Sequence, residues 1–156
     1  MSIQITIDSP GLAKVIQSLE KSPKEVRSRL HRAIDKGAIL IEREAKLEAP
    51  VGVSGNLRSR IRTTVGDLQA IISPQVEYAV YVHEGTRPHG VSRKGQEQLR
   101  RWCERKGVPF GAVLTSIRRR GTRANPFMVR GAENATPAVT DAFNEEVDYI
   151  ARFIVQ

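Results

Sequence analysis

Between Val26 and Ala45 the residues Val26, Leu30, Ala33, Ile34, Gly37, Ala38, Ile41 and Ala45 recur at the spacing of one helix face. Ahead of them, Ser22-Pro23-Lys24-Glu25 reads as a capping box with proline in the first turn, and Ala49-Pro50 disfavours helix at the other end. The pattern predicts a long amphipathic helix from about Pro23 to Leu47. A chain of 156 residues makes one core of useful size, so whatever else folds must cover that apolar stripe. Gly37 and Ala38, near its middle, leave room for another element to approach closely.

The flanking segments supply the cover. Ile3, Ile5 and Ile7 alternate as in a half-buried strand, Asp8-Ser9-Pro10-Gly11 ends it, and Leu12, Val15, Ile16 and Leu19 make one stripe of a short helix. Residues 51–56 read as a loop that orders on assembly. Beyond it, alternation predicts a strand with Leu57, Ser59, Ile61, Thr63 and Val65 on one face and a ladder of Arg58, Arg60 and Arg62 on the other. Gly66-Asp67 turns this strand into an antiparallel partner over 68–73. The stretch Tyr78 to Thr86 reads as a short buried turn or strand end, with Gly85 allowing a sharp change of direction.

Residues 86–95, with Arg87 and His89, form a basic loop. Apolar spacing then predicts two short helices, 96–106 and 109–120, as an insertion over about 87–123 between sheet strands. Pro126 holds the chain extended where it delivers Phe127-Met128, and Asn134 to Pro137 caps a last helix with the stripe Val139, Ala142, Phe143, Val147, Ile150 and Ile154. The fold class is α+β: one domain over 1–156, a small antiparallel sheet packed on the long and C-terminal helices. Tyr78, Tyr81, Trp102 and Phe127 are its expected aromatic core.

Nothing in the chain assembles a reaction centre. His83-Glu84 opens like a zinc-binding HExxH, but Arg87 stands in the fifth position and Gly85 breaks the helix. There is no Gly-x-Ser-x-Gly elbow and no phosphate-binding loop, so the sequence reads as a non-enzyme without metal or cofactor. The single cysteine, Cys103, sits beside Leu99 and Trp102 as a small core residue and points to a reducing compartment. The alternating residues Met1 to Ile7 do not read as a signal peptide, and no apolar run approaches membrane-spanning length. A formal charge of +8 favours a polyanionic neighbour. Arg58, Arg60 and Arg62, and the cluster Arg118, Arg119 and Arg120, can be a solvated face, a contact with an acidic subunit, or a contact with phosphate.

Taken in order, Ala49-Pro50, Ser54-Gly55-Asn56-Leu57-Arg58, Tyr78-Ala79-Val80-Tyr81-Val82-His83-Glu84-Gly85-Thr86, Arg119-Arg120-Gly121-Thr122 and Pro126-Phe127-Met128 resemble a known family. They are similar to the tail-completion, or head–tail joining, proteins in the neck of long-tailed double-stranded-DNA phages. His83 stands where that family commonly has glutamate, and Gly131 where proline is frequent. The resemblance implies a virion protein forming a hexameric ring between a tail terminator or tail tube and a head-closure ring, with DNA passing through the lumen. It also implies that Arg58, Arg60, Arg62, Arg87, His89 and Arg118 to Arg120 lie at subunit or ring contacts. The alternative from another class is a small basic DNA-binding module.

Overall fold

The computed structural model describes residues 3–7 and 24–155, and in it the long amphipathic pattern is helix α1, Lys24–Glu48. The side chains it buries are Val26, Ala33, Ile34, Gly37, Ala38, Ile41 and Ala45, the stripe that the periodicity selects. The short helix expected over Leu12 to Leu19 and the Ser22-Pro23 cap lie outside the described residues. The other elements are β1 (Ile5–Ile7), α2 (Asn56–Ser59), β2 (Ile61–Gly66), β3 (Gln69–Pro74), α3 (Ala79–Glu84), α4 (Arg93–Lys106), α5 (Phe110–Arg120) and α6 (Phe127–Val155). The fold is α+β, as the sequence implies.

The sheet runs in the order β1-β3-β2, with both pairings antiparallel. Ile5 opposes Ile72, and Thr63 opposes Ile72 from the other side, so β3 is central and its Ala70 and Ile72 are fully buried. The β2–β3 hairpin closes through Asp67 and Leu68. Leu68 has φ 57°, a left-handed conformation costly for a residue with a Cβ. Its side chain is buried in compensation, and an ion pair from Arg27 of α1 to Asp67 ties the turn down.

Helices α1 and α6 make the largest interface in the molecule, lined on both sides by small residues: Ala38, Ala45 and Ala49 against Ala135 and Gly131. Small side chains let two backbones close in and add contact at each turn. Phe127 (0 % exposed) and Met128 (1 %) start α6 and fill the space between it, α1 and the sheet. Emptying a site of that kind to alanine costs about 3–5 kcal/mol.

Four expectations are corrected. The last helix begins at Phe127, not after Pro137: the carbonyl of Pro126 accepts from the Arg130 N–H at 3.1 Å, so this proline opens a helix, where its fixed φ is pre-set. Pro137 lies inside α6 at an exposed position. Along the stripe of α6, Glu146 takes the buried place and Val147 is 50 % exposed. The two-helix insertion does not separate sheet strands; it leaves after α3 and returns at α6. Finally, the stretch at Tyr78 is helical, so Tyr78 and Tyr81 share an outer face at 43 % and 63 % exposure while Ala79 is buried. They are not core residues, and Trp102 is half-buried.

Candidate assembly surface

Gly55, at φ 66°, bends the chain after α1 into the single helical turn α2, and this displaces the expected arginine ladder. Only Arg62 of the three lies on β2. Arg58, on α2, turns back and its Nη2 donates to the carbonyls of Leu47 (3.2 Å) and Ala49 (3.3 Å), satisfying the C-terminal end of α1. Arg60 is the residue that ends α2, its N–H shared between the carbonyls of Asn56 and Leu57. Arg62 is exposed and its Nη1 folds onto the carbonyls of Ser59 (2.6 Å) and Ile61 (3.0 Å). Arg58 is therefore a structural clamp, while Arg60 and Arg62 remain at the surface beside the outer edge of β2.

The Tyr78 stretch and the Pro126 segment are joined. The N–H of Asn125 donates to the carbonyls of Val82 (3.1 Å) and His83 (3.0 Å), and the His83 ring stands edge-on to Phe127 with centroids 5.6 Å apart. Burial holds the His83 imidazole below its ordinary pKa, with the nearby Arg130 adding to the effect and Glu84 opposing it. Its Nδ1 has no hydrogen-bond partner among the described residues, so His83 acts as a neutral packing group. Arg130 then locks the junction, donating to Asn125 Oδ1 (2.6 Å) and Glu48 Oε2 (2.7 Å).

Just beyond α3 the chain is pinched. Thr86 and Thr122 exchange backbone hydrogen bonds (3.1 and 3.2 Å), and their hydroxyls meet at 3.0 Å. The preceding residues, Gly85 (φ 77°) and Gly121 (φ 76°), both occupy the left-handed region; a Cβ on Gly121 would stand 1.8 Å from the Thr86 carbonyl oxygen. The segment from Arg87 to Arg123 is an arm closed at its base by this clasp. The one visible sequence signal is the repeated Gly-Thr dipeptide, Gly85-Thr86 and Gly121-Thr122.

Arg87 and His89 lie at the root of the arm. The Nδ1 of His89 is 2.9 Å from the Arg87 carbonyl and 3.2 Å from the Thr86 hydroxyl. Together with Glu77, Val80, Tyr81 and Glu84 they border an open groove of about 900 Å³ between α3 and the arm. Arg118, Arg119 and Arg120 form the exposed last turn of α5, which leads directly into Gly121 and Thr122 of the clasp. The surface features are thus three: the open edge of β2, the groove beside Tyr81, and the basic arm.

Sequence reasoning missed the buried Glu146 and the partly exposed cations that hold it between α1 and α6. Glu146 accepts from Lys36 Nζ at 2.9 Å and from Arg29 Nη1 at 3.4 Å, and the Arg29 guanidinium lies 3.4 Å over the Tyr149 ring. Hydrogen bonding from Lys36, then Arg29, holds the Glu146 carboxyl below its usual range against the opposing cost of burial. Among the described residues no His, Cys, Asp and Glu side chains converge in a group able to hold a metal ion, and no helix is long and apolar enough to cross a membrane.

Residues 13–85 match the HK97-gp10-like family, described as "Bacteriophage HK97-gp10, putative tail-component". The matched stretch spans the short N-terminal segment, α1, the β2–β3 hairpin and α3, and it stops at Gly85, one residue before the clasp. No curated protein and no solved structure matches the chain.

Proposed function

We propose, from the match of residues 13–85 to a bacteriophage family described as a "putative tail-component", that this protein is a structural subunit of the virion neck, assembling as a ring that joins the DNA-filled head to the tail. The observation that carries the reading is the open edge of β2. Residues Arg62, Thr64, Val65 and Gly66 are exposed there, and one whole side of the strand has no partner among the described residues. An unpaired edge is a template for another chain, and a subunit that offers one surface to a different surface on its neighbour builds a closed ring when the rotation closes.

In this reading the protein does no chemistry. Its work is geometric: the rigid α1–α6 pair and its sheet fix the angle between neighbours, while the groove beside Tyr81 and the loop before α2 meet the adjoining rings. Six copies, a tail terminator or tube on one side and a head-closure ring on the other, are the partners that the neck assignment requires. The test is electron microscopy of lysates from phage lacking the gene. Filled heads and finished tails lying apart support the neck role, joined infectious particles remove it, and malformed tails reassign the subunit to the tail itself.

A further inference from the structure

The net positive charge of the chain is confined to the arm. Residues 87–123 hold 11 of the 25 Lys and Arg but 2 of the 17 Asp and Glu, which leaves the rest of the molecule with a formal net charge of −1. All of these arm cations are exposed. Every ion pair among the described residues involves a cation of the body, and none involves a cation of the arm. A solvated face of a stable domain ordinarily intersperses both signs; this one does not.

The arm's local structure arranges those charges for use. On α4, Lys94, Gln98, Arg101 and Arg105 fall on one exposed face with Glu97 at its edge, while Leu99 and Cys103 turn inward. The helix of 14 residues is about 21 Å long, the rise of roughly six base pairs. At the far end of α5, Ser116, Arg120, Gly121, Thr122 and Arg123 line a cleft of about 340 Å³. Two guanidinium groups, two hydroxyls and no carboxylate border it, a donor set suited to a phosphate.

We propose that the arm is a surface that grips the phosphate backbone of double-stranded DNA, without reading its sequence. The choice of DNA over an acidic protein rests on what the arm lacks. Val108, at 37 %, is its one exposed large apolar side chain among the described residues, so there is no hydrophobic patch of the kind that anchors a protein interface. Nucleic-acid interfaces are more polar and much more positive, and 9 of the arm's 11 cations are arginines, whose forked donors match phosphate. Single strands are disfavoured because Trp102 is half-buried and Phe110 is covered by Arg100 at 4.6 Å, leaving no open aromatic platform. The inference is independent of the neck reading, since the family match ends before the arm begins.

Fluorescence anisotropy with the full-length protein and a labelled duplex of arbitrary sequence tests it. Binding should weaken linearly on a log–log plot against salt, equally for unrelated sequences. Two variants, K94Q/R101Q and R118Q/R119Q/R120Q/R123Q, should each weaken binding, the salt slope becoming shallower by about one for each phosphate-contacting cation removed. Circular dichroism and melting temperature should stay unchanged, because these exposed side chains make no hydrogen bond or ion pair with the described residues of the body. Failure to bind at the lowest salt overturns the proposal, as do variants that bind with the parental slope. Polyglutamate competing as well as unlabelled duplex at equal charge also overturns it, in favour of an acidic protein partner.

Discussion

Gly131 of α6 lies so close to Ala45 of α1 that a Cβ built on the glycine would stand 2.5 Å from the alanine Cα and 2.6 Å from its N. The atoms it would meet are backbone, which cannot swing aside. In an open helix Gly→Ala gains about 1 kcal/mol. Here the two helices must separate, and overpacking of this kind costs about 1–3 kcal/mol. Gly131→Ala is therefore expected to be net destabilising in denaturant melts, and Ala45→Gly in the same background should not rescue it, because the nearest atoms are Ala45 backbone and a second helical glycine adds a cost of about 1 kcal/mol. A stabilised Gly131→Ala protein would mean that the helices sit farther apart.

The clasp gives a second, separable expectation. A Cβ on Gly121 collides with the Thr86 and Arg87 backbone and needs a left-handed conformation besides. Gly121→Ala should break the Thr86–Thr122 bridge and free the arm without unfolding the body, whose core is α1, α6 and the sheet. Limited proteolysis should then cut between Arg87 and Arg123 faster than in the parent, leaving the body intact. Loss of the whole cooperative transition would show that the arm and body fold as one.

The two glycines also mark where sequence reasoning stops. Helix α1 was legible because its pattern persists over many turns, and the hairpin because Gly66-Asp67 separates two alternating runs. The start of α6 was not: Thr136-Pro137 imitates a cap, while the operative signal was Pro126 presenting its carbonyl to Arg130. The arginine ladder failed for a tertiary reason. Alternation over 57–65 fits a strand as well as it fits a helical turn followed by one, and the bonds from Arg58 to the end of α1 decide between them. Tyr78 and Tyr81, at i and i+3, were legible as one face but not as an outer one, because apolarity alone cannot tell a core from a docking surface. Glu146 left no trace, since its partners are 110 and 117 residues away.

Glu146 carries a pH dependence with a definite sign. Its carboxyl is held below its ordinary value of 4.5 by Lys36 and Arg29, so the folded protein prefers the ionised form more than the unfolded chain does. The stability this provides is complete above about pH 4.5 and is lost as pH falls through the folded value. Thermal melts from pH 7 to 3 should show the parent losing more stability than Glu146→Gln over the acid part of the range, so that the two curves converge. Parallel curves throughout would place the acid sensitivity elsewhere, with Glu42 the next group to test, its carboxyl also held low by Lys46 and Thr63 in spite of partial burial.

The three arginines first read as a ladder now divide by role. Arg58 closes the end of α1 with two bonds to carbonyls, of Leu47 at the surface and of the buried Ala49, so its loss takes the donor from a carbonyl at the edge of the core. Arg58→Gln should lower the stability of the isolated subunit by about 1–3 kcal/mol, measured by denaturant unfolding. Arg60 and Arg62 are exposed, pair with no carboxylate among the described residues, and stand beside the open edge of β2. Arg60→Glu with Arg62→Glu should leave circular dichroism and melting temperature unchanged. If that edge meets acidic groups on a neighbour, the double reversal repels them and incorporation into particles falls, because a like-charge juxtaposition at an interface is costly. Normal yield of infectious virions from the double mutant would return both residues to the solvated surface and leave Arg58 as the one arginine of the three with a structural task.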